Sequence, residues 1–570
     1  MTAGLKLLVM AGVGLPLLWL LLAPIAGRWL RLGLPLLPLP ALVLALGHGG
    51  DWQWPLPWLL VDSVWLLDDL RRVFLTLTAM LWCSAGLFAI GYLERAHERR
   101  FIIFWCLTLC GNIGLTLAGD AAGFYTFFAL MTFASYGLVV HQGSAAALRA
   151  GRVYLVMAVL GELMLLAGLM LAVASADSDR LADLPAAIAG ADRVHLITGL
   201  LLAGFGIKAG LPLLHMWLPL AHPVAPTPAS AVLSGAMIKA GLLGWLLTLP
   251  LGHISLVGWG DLLVGAGALA SIGGALVGVC QRQGKAVLAY SSISQMGLML
   301  LLVAGALAAP EQAGVLVSVA ALYALHHGLA KGVLFLSSAL RVPEAGGWRW
   351  LMWGLIAMPG FALAGLPWTS GTLAKLAMKK ALVGQVPGMA SAPYLGPLLS
   401  AGAVATLLLV LRFLWLQRHP GRTGTHPDGH PPALLAGWLL ATLASLVLFW
   451  FMPWRAHDLV AAPHWLPKAG QYLSLLWPIG LGLALAVLVA RSPLRAPAIP
   501  PGDLLAPLTI AGRWLRAAVP APRKPALPVP RPLRQAARRF PAWSATGEQR
   551  LRAAAVLVMT GLILLMAGLL

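Results

Sequence analysis

The chain has 570 residues, of which 60% are hydrophobic and only 10% are charged. Because soluble domains average about 25% charged residues, this composition excludes an ordinary globular enzyme and predicts a polytopic membrane protein. The net charge of +20 does not indicate nucleic-acid binding, because the basic residues fall in loops between apolar segments. Cys83, Cys106, Cys110 and Cys280 lie in apolar segments without paired loop spacing, so neither a disulfide framework nor a metal cage is expected.

Apolar windows of about 20 residues predict an all-α membrane bundle of about 14 to 16 transmembrane helices. The first window is expected to remain as a helix rather than a signal peptide, because it is long and lacks a convincing cleavage site. The twelfth window is expected to be broken. The predicted spans are 5–25, 29–47, 72–93, 101–118, 122–141, 153–174, 194–212, 228–249, 257–280, 286–307, 314–339, 347–382, 394–416, 433–453, 471–491 and 550–570.

The charges of the connecting loops alternate along the chain. Most odd-numbered loops are basic and most even-numbered loops are acidic or nearly neutral, although the seventh loop carries histidines instead of Lys or Arg. By the positive-inside rule, the odd loops face the cytoplasm and both chain termini face the other side. The basic loop residues are Arg28, Arg31, Arg95, Arg99, Arg100, Arg149, Arg152, Arg282, Lys285, Arg341, Arg349, Arg418 and Arg422.

Five charged side chains lie inside predicted spans. An ammonium near the bilayer centre costs at least roughly 2.5–3.5 kcal/mol, so such groups usually face a protein interior or a hydrated path. Lysines shielded from water can exchange protons near neutral pH, and histidines titrate there already. The group therefore predicts a proton-transfer path. Its members are Glu162, Lys208, Lys239, Lys331 and Lys375, with His326 and His327 one turn before Lys331.

Lys208 and Lys239 flank a proline-broken stretch that also holds His215 and His222. Pro219 interrupts the helix between the two histidines, so metal binding is not expected there. No hydrolytic triad, phosphate-binding glycine loop or haem motif accompanies the buried charges, and no cofactor is expected. The alternative for Lys239 and Lys375 is a side chain that reaches from a span end to the membrane surface.

Four motifs carry a family resemblance. They are HMWLPLAHPVAPTPASAVLSGAMIKAG (215–241), QGKAVLAYSSISQMG (283–297), HGLAKGVLFLSSA (327–339) and GLPWTSGTLAK (365–375). Together they resemble the antiporter-like, proton-translocating membrane subunits of respiratory complex I, of Mrp-type cation/proton antiporters and of membrane-bound hydrogenase complexes. The wording of the first motif leans towards the hydrogenase-type and Mrp-type members.

The resemblance implies two inverted five-helix repeats, each with a discontinuous helix. It also implies that Lys208 is the central lysine of the first half-channel, Lys239 a bridging lysine, His327 and Lys331 a linking pair, and Lys375 the exit-side lysine. The implied organisation is 1–70 N-terminal peripheral helices, 71–249 first half, 250–416 second half, 417–491 C-terminal peripheral helices, 492–549 a basic Pro/Arg-rich cytoplasmic segment and 550–570 a terminal transmembrane helix.

The basic segment 492–549 has two interpretations. It is either a solvated linker attracted to anionic lipid headgroups or an arm that lies along the membrane and binds a neighbouring subunit. Its prolines exclude one continuous helix.

One position departs from the family pattern. The family places a glutamate on the fifth helix, in a phrase like FFELMTLASY, where it pairs with the central lysine. This chain has FFALMTFASY, so the position is Ala129. Glu162, on the next predicted helix, is the other clearly embedded carboxylate, and the hypothesis is that it pairs with Lys208 instead.

The resemblance favours an ion-translocating subunit of a larger energy-converting complex in the bacterial inner membrane, with no catalytic centre of its own. Its expected partners are other membrane subunits and the lipid bilayer, and a soluble catalytic partner on the cytoplasmic side stays open. Three alternatives remain. They are an Mrp-type secondary cation/proton antiporter, a proton-driven membrane partner in inorganic-carbon uptake, and a scaffold that has lost pumping because of Ala129.

Overall fold

The computed structural model describes residues 2–21, 27–47, 50–60, 62–94, 98–418, 430–460, 469–492 and 499–502. Within these residues, twelve helices are long and apolar enough to cross a membrane. The predicted helical, multi-span membrane bundle is therefore confirmed. The predicted span 550–570 and nearly all of the segment 492–549 lie outside the described residues.

Twenty α-helices and one β-hairpin make up this part of the chain. The helices are α1 Ala3–Leu21, α2 Leu39–Leu46, α3 Asp69–Tyr92, α4 Glu98–Leu117, α5 Ala121–Val139, α6 Ala145–Ala176, α7 Leu184–Gly190, α8 Val194–Ala209, α9 Trp217–Val224, α10 Thr227–Val232, α11 Lys239–Thr248, α12 Val257–Ala268, α13 Gly274–Val279, α14 Gly284–Ala308, α15 Ala313–Ser337, α16 Gly347–Ala364, α17 Ser370–Leu382, α18 Leu395–Arg418, α19 Pro432–Val460 and α20 Ala469–Arg491. The strands are β1 Trp52–Leu56 and β2 Ser63–Leu67. Short 3₁₀ turns occupy Gly27–Gly33, Pro310–Gln312 and Ala392–Tyr394.

The N-terminal region departs from the sequence prediction in two ways. The predicted second span, 29–47, is a 3₁₀ turn followed by the short helix α2, because closely spaced prolines at 35, 38 and 40 prevent a continuous helix. The hairpin was not predicted. Its strands pair antiparallel with Trp54 opposite Trp65, and these two rings meet edge to face at 6.4 Å.

Two transmembrane helices are interrupted by residues in the left-handed backbone region. After α8, Gly210 has φ 77° and Leu213 has φ 69°, and α9 then resumes the path. After α16, Gly365 has φ 96° and Trp368 has φ 59°, and α17 follows. Left-handed backbone in non-glycine residues is sterically costly and concentrates at functional sites. The first interruption begins two residues after Lys208.

Two further helices change to π-helical geometry for one turn. The segment Leu233–Met237 joins α10 to α11, and Leu269–Gly273 joins α12 to α13. A π-turn shifts the hydrogen-bonding pattern by one residue, and such turns often occur at functional sites.

The centre of the bundle is formed by the 227–248 stretch together with α14 and α15. The apolar windows of Thr227–Thr248 and Gly284–Ala308 are buried throughout, whereas α1 and α20 are mostly exposed at the periphery. Polar side chains on these central helices are therefore shielded from lipid by the surrounding helices.

A buried carboxylate connects the hairpin to the helical bundle. Asp120 caps the N-terminus of α5, accepting a hydrogen bond from the Gly123 amide at 2.6 Å. It also accepts hydrogen bonds from Ser63 Oγ at 2.6 Å and from the Val64 amide at 2.8 Å, both on β2. One side chain thus joins the hairpin to α5.

We expect Asp120→Ala to destabilise the protein, because three buried donors lose their acceptor. The cost should be about 1–3 kcal/mol, the range for lost caps and for buried hydrogen bonds to charged groups. Thermal unfolding of the purified protein in detergent measures the effect. Asp51→Ala, which removes an exposed carboxylate from the start of the same hairpin, is the control. Equal unfolding midpoints for the two variants would contradict this role of Asp120.

Candidate functional site

The end of α8 brings Lys208 into a polar pocket that we name the Lys208 cluster, formed by Thr132, Tyr154, Glu162 and Lys208. Lys208 Nζ donates to Thr132 Oγ1 at 3.2 Å and to the Tyr154 hydroxyl at 3.4 Å. The amine also lies 6.0 Å from the centre of the Phe128 ring. The side chain is almost wholly buried, so these contacts replace water as its hydrogen-bonding surroundings.

Glu162 on α6 lines the same cavity, which has a volume of about 20 Å³. Its carboxylate interacts with the Thr132 side chain and electrostatically with Lys208. Among the described residues it forms no direct ion pair with Lys208, and its Oε2 is buried without a hydrogen-bond partner. Thr132 therefore interacts with both the acid and the amine. The hypothesis of a Glu162–Lys208 pair stays a prediction.

Ala129 lies outside the residues that line this cavity, although Phe128 and Thr132 on the same helix contribute to it. The carboxylate that reaches the cavity comes from α6 instead of α5. This arrangement agrees with the sequence argument that the missing fifth-helix acid has a substitute on the next helix.

A second group of buried lysines lies at the centre of the bundle. Lys239 Nζ donates to the Ser234 carbonyl at 2.6 Å, and Lys331 Nζ donates to the Leu288 carbonyl at 2.9 Å. His327 lies within electrostatic range of both lysines, and its ring nitrogens form no hydrogen bond within the described residues. We name Lys239, His327 and Lys331 the central cluster. All three side chains are shielded from lipid.

His326 connects the centre of the bundle to the second broken helix. Its Nδ1 lies 2.8 Å from Ser370 Oγ, at the first residue of α17. The resemblance gave the linking role to His327, whereas the contact with α17 comes from His326. The orientation of neighbouring histidines depends on helix packing, which one sequence does not reveal.

Lys375 lies on α17 and is also buried. It lines a cavity of about 30 Å³ together with Lys379, Ser400 and Ser474. Lys379 is one turn further along the same helix, so the cavity joins two amines. Lys379 was not singled out from the sequence, and the i, i+4 spacing was the available signal.

The two histidines of the first broken stretch lie in different places. The His222 ring stacks on Phe335 at 4.5 Å and is fully buried, within electrostatic range of Lys239, Lys285 and Lys331. The His215 ring meets Tyr290 at 6.4 Å. Neither histidine contributes to the Lys208 cluster, and His222 lies nearer the central cluster.

An apolar contact lies between the Lys208 cluster and the helix that carries Lys239. Phe205 on α8 packs against Phe128 at 5.6 Å and approaches Gly241 and Gly244 on α11 closely. No hydrogen bond joins Lys208 to Lys239 in the part of the chain that the structure describes. The Lys208 cluster and the central cluster are therefore separate polar groups, and Lys375 lines a third site of its own.

Comparison with known proteins finds a family model that matches the part of the chain that holds this site. Residues 118–385 match the family described as NADH:quinone oxidoreductase/Mrp antiporter, TM. This range includes both clusters and Lys375.

Three individual proteins illustrate the match. An uncharacterized protein of Mycobacterium tuberculosis (strain CDC 1551 / Oshkosh) is 33% identical over 347 residues, which are 56% of this chain and 53% of that protein. Hydrogenase-4 component B of Escherichia coli (strain K12) is 28% identical over 294 residues, covering 50% of this chain and 44% of that protein. The chain thus spans about half the length of these curated relatives. A solved structure of the Mrp complex from Dietzia sp. DQ12-45-1b shares the fold with a TM-score of 0.73 at 23% identity, covering 92% of this chain and 61% of that one.

Proposed function

Because residues 118–385 carry the transmembrane domain of the NADH:quinone oxidoreductase/Mrp antiporter family, we propose that this chain is a proton-translocating membrane subunit of a larger energy-converting complex. The proposed path runs from the Lys208 cluster through the central cluster to Lys375. His326 joins the central cluster to α17 through Ser370.

The observation that carries the proposal is the buried Glu162–Thr132–Lys208 arrangement. An amine and a carboxylic acid line one buried cavity, and the Thr132 hydroxyl in the same cavity accepts a hydrogen bond from the amine and interacts with the acid. Such intramembrane ionisable pairs typically mark proton relays. If the role were purely structural, apolar residues of similar size would fill the site without the desolvation cost of buried charges.

Glu162 acts in this proposal as the electrostatic control of Lys208. While ionised, the carboxylate stabilises the ammonium. When the carboxylate takes up a proton or moves away, this stabilisation is lost and Lys208 releases its proton towards the centre of the bundle. In this proposal, Glu162 on α6 thus takes the role that a fifth-helix glutamate has in the family.

The energy for transport comes, in this proposal, from partner subunits in the same membrane. The solved neighbour belongs to the Mrp complex, which is an assembly of several membrane proteins. We propose that this chain likewise works beside other membrane subunits, with a soluble catalytic partner on the cytoplasmic side where the complex has one.

Lys208→Ala should abolish proton transport, and Glu162→Gln should reduce it by about tenfold or more, because proton-transfer groups typically contribute factors of this size. The measurement is fluorescence quenching by a pH-sensitive dye in proteoliposomes that contain the assembled complex. Lys380→Ala removes an exposed lysine from α17 and is the matched control. Unchanged transport in Lys208→Ala, with a normally assembled complex, would instead support a scaffold.

The loop charges also support an orientation in which the connection between α5 and α6 faces the cytoplasm and the connection between α7 and α8 faces the other side. We expect Gln142→Cys, in an exposed position between α5 and α6, to react with a membrane-impermeant maleimide from the cytoplasmic side only. Asp192→Cys, exposed between α7 and α8, should react from the opposite side only. Cys280, the least buried native cysteine, is replaced by Ser in this background. Labelling of both positions from the same side would contradict the orientation.

A further inference from the structure

A pair of serine hydroxyls lies between Lys239 and Lys331. Ser234 Oγ and Ser292 Oγ are 2.7 Å apart, and either can donate to the other. Both side chains are fully buried. Ser234 is in the π-turn before α11, and Ser292 is on α14, so the contact crosses between two helices at the centre of the bundle.

Each lysine of the central cluster is bound to a carbonyl that adjoins one of these hydroxyls. Lys239 Nζ donates to the backbone carbonyl of Ser234 itself. Near Lys331, the Leu288 carbonyl accepts hydrogen bonds from both Ser292 Oγ at 3.0 Å and Lys331 Nζ at 2.9 Å. The two hydroxyls thus contact each other directly, and each lysine meets the pair at a carbonyl, which is that of Ser234 itself on one side and the Leu288 carbonyl shared with Ser292 on the other.

The π-turn produces the first of these contacts. Lys239 reaches the carbonyl five residues earlier in the chain. The shifted hydrogen-bonding pattern of residues 233–237 opens the backbone there to a side-chain donor. The same turn carries the Ser234 side chain that meets Ser292. The local geometry thus brings a lysine and a hydroxyl to one point on the helix.

We propose that Ser234 and Ser292 form a hydroxyl relay that passes protons between Lys239 and Lys331. This inference rests on the proposed function and adds to it two residues that carry the proton between the first half of the chain and the second. It also gives a role to Ser292 within the LAYSSIS motif, which the sequence analysis used only to identify the family.

The proton balance of the relay is simple. The Lys239 ammonium turns from the Ser234 carbonyl to the Ser234 hydroxyl oxygen and gives up one proton. The Ser292 hydroxyl turns from the Leu288 carbonyl to the uncharged Lys331 amine and gives that amine its proton, while the Ser234 hydroxyl passes its own proton to Ser292. Both hydroxyls end with one proton each, and their hydrogen bonds point in the reverse direction. Rotation of the two hydroxyls restores the starting state, and the reverse transfer is equally allowed.

A structural alternative is that the serines only hold two helices together. Hydrogen bonds between membrane helices from serine side chains are common and contribute modestly to stability. The chain offers a matched case of that role. Ser294, two residues along the same helix, donates to the Ser271 carbonyl of the other π-turn at 2.8 Å and is also fully buried. Within the described residues, no lysine donates to that carbonyl.

The test compares proton transport by the assembled complex in proteoliposomes for Ser292→Ala, Ser234→Ala, the double variant and Ser294→Ala. The relay predicts a loss of about tenfold or more for each of the first two, in line with other proton-transfer groups. The double variant should be no worse than either single one, because both remove the same step. Ser292→Thr, which keeps the hydroxyl, should recover transport, and Ser294→Ala should transport normally.

Equal transport by Ser292→Ala and Ser294→Ala, or additive losses in the double variant, would overturn the relay. If Ser292→Ala does not assemble, Ser234→Ala breaks the same contact from the other helix and decides the question. Lys331→Ala separates this inference from the proposed function. Loss of transport in Lys331→Ala with normal transport in both serine variants refutes only the relay, whereas normal transport in Lys331→Ala refutes the proposed path through this lysine.

Discussion

The constraint on which the structure depends is the cost of placing an ammonium inside an apolar bundle. An unpaired buried charge costs several kcal/mol, so each lysine needs its donors satisfied nearby. Lys239 and Lys331 bind backbone carbonyls, whereas Lys208 binds the Thr132 and Tyr154 hydroxyls. In a regular helix most carbonyls are already occupied by backbone amides. The π-turn before α11 exposes the Ser234 carbonyl to Lys239, whereas Lys331 binds the Leu288 carbonyl in the uninterrupted helix α14.

This requirement links local geometry to transport. In a proton path, each charged group must be stabilised enough to exist in the membrane. It must not be stabilised so strongly that it cannot release its proton. Contacts to a neutral hydroxyl or a single carbonyl meet both conditions, since they satisfy the amine without a full ion pair. The Thr132 hydroxyl, which interacts with both Glu162 and Lys208, follows the same principle. Phe205 packs between the Lys208 cluster and α11, so rearrangement or hydration at the α8–α11 contact becomes part of transport in this account.

Much of the fold follows from sequence because hydropathy and loop charge are local signals. The spans from α3 onward, the break after α16 and the buried lysines could all be predicted. The prediction of a continuous second span was wrong because a hydropathy window does not take account of closely spaced prolines. The hairpin was not predicted because its pairing is set by tertiary contacts, such as the one between Asp120 and Ser63. The contact of His326 with Ser370 depends on the rotation of α15 about its axis, which the sequence does not reveal. The Ser234–Ser292 contact depends on a π-turn that no spacing rule indicates.

The central claim is that Glu162 has replaced the fifth-helix acid as the group that controls Lys208. Infrared difference spectroscopy of the assembled complex, with and without its driving reaction, tests this most directly. The account predicts a carboxyl band that appears or disappears on energisation and is absent in Glu162→Gln. A wild-type complex that transports protons with no carboxyl signal sensitive to this substitution would contradict it.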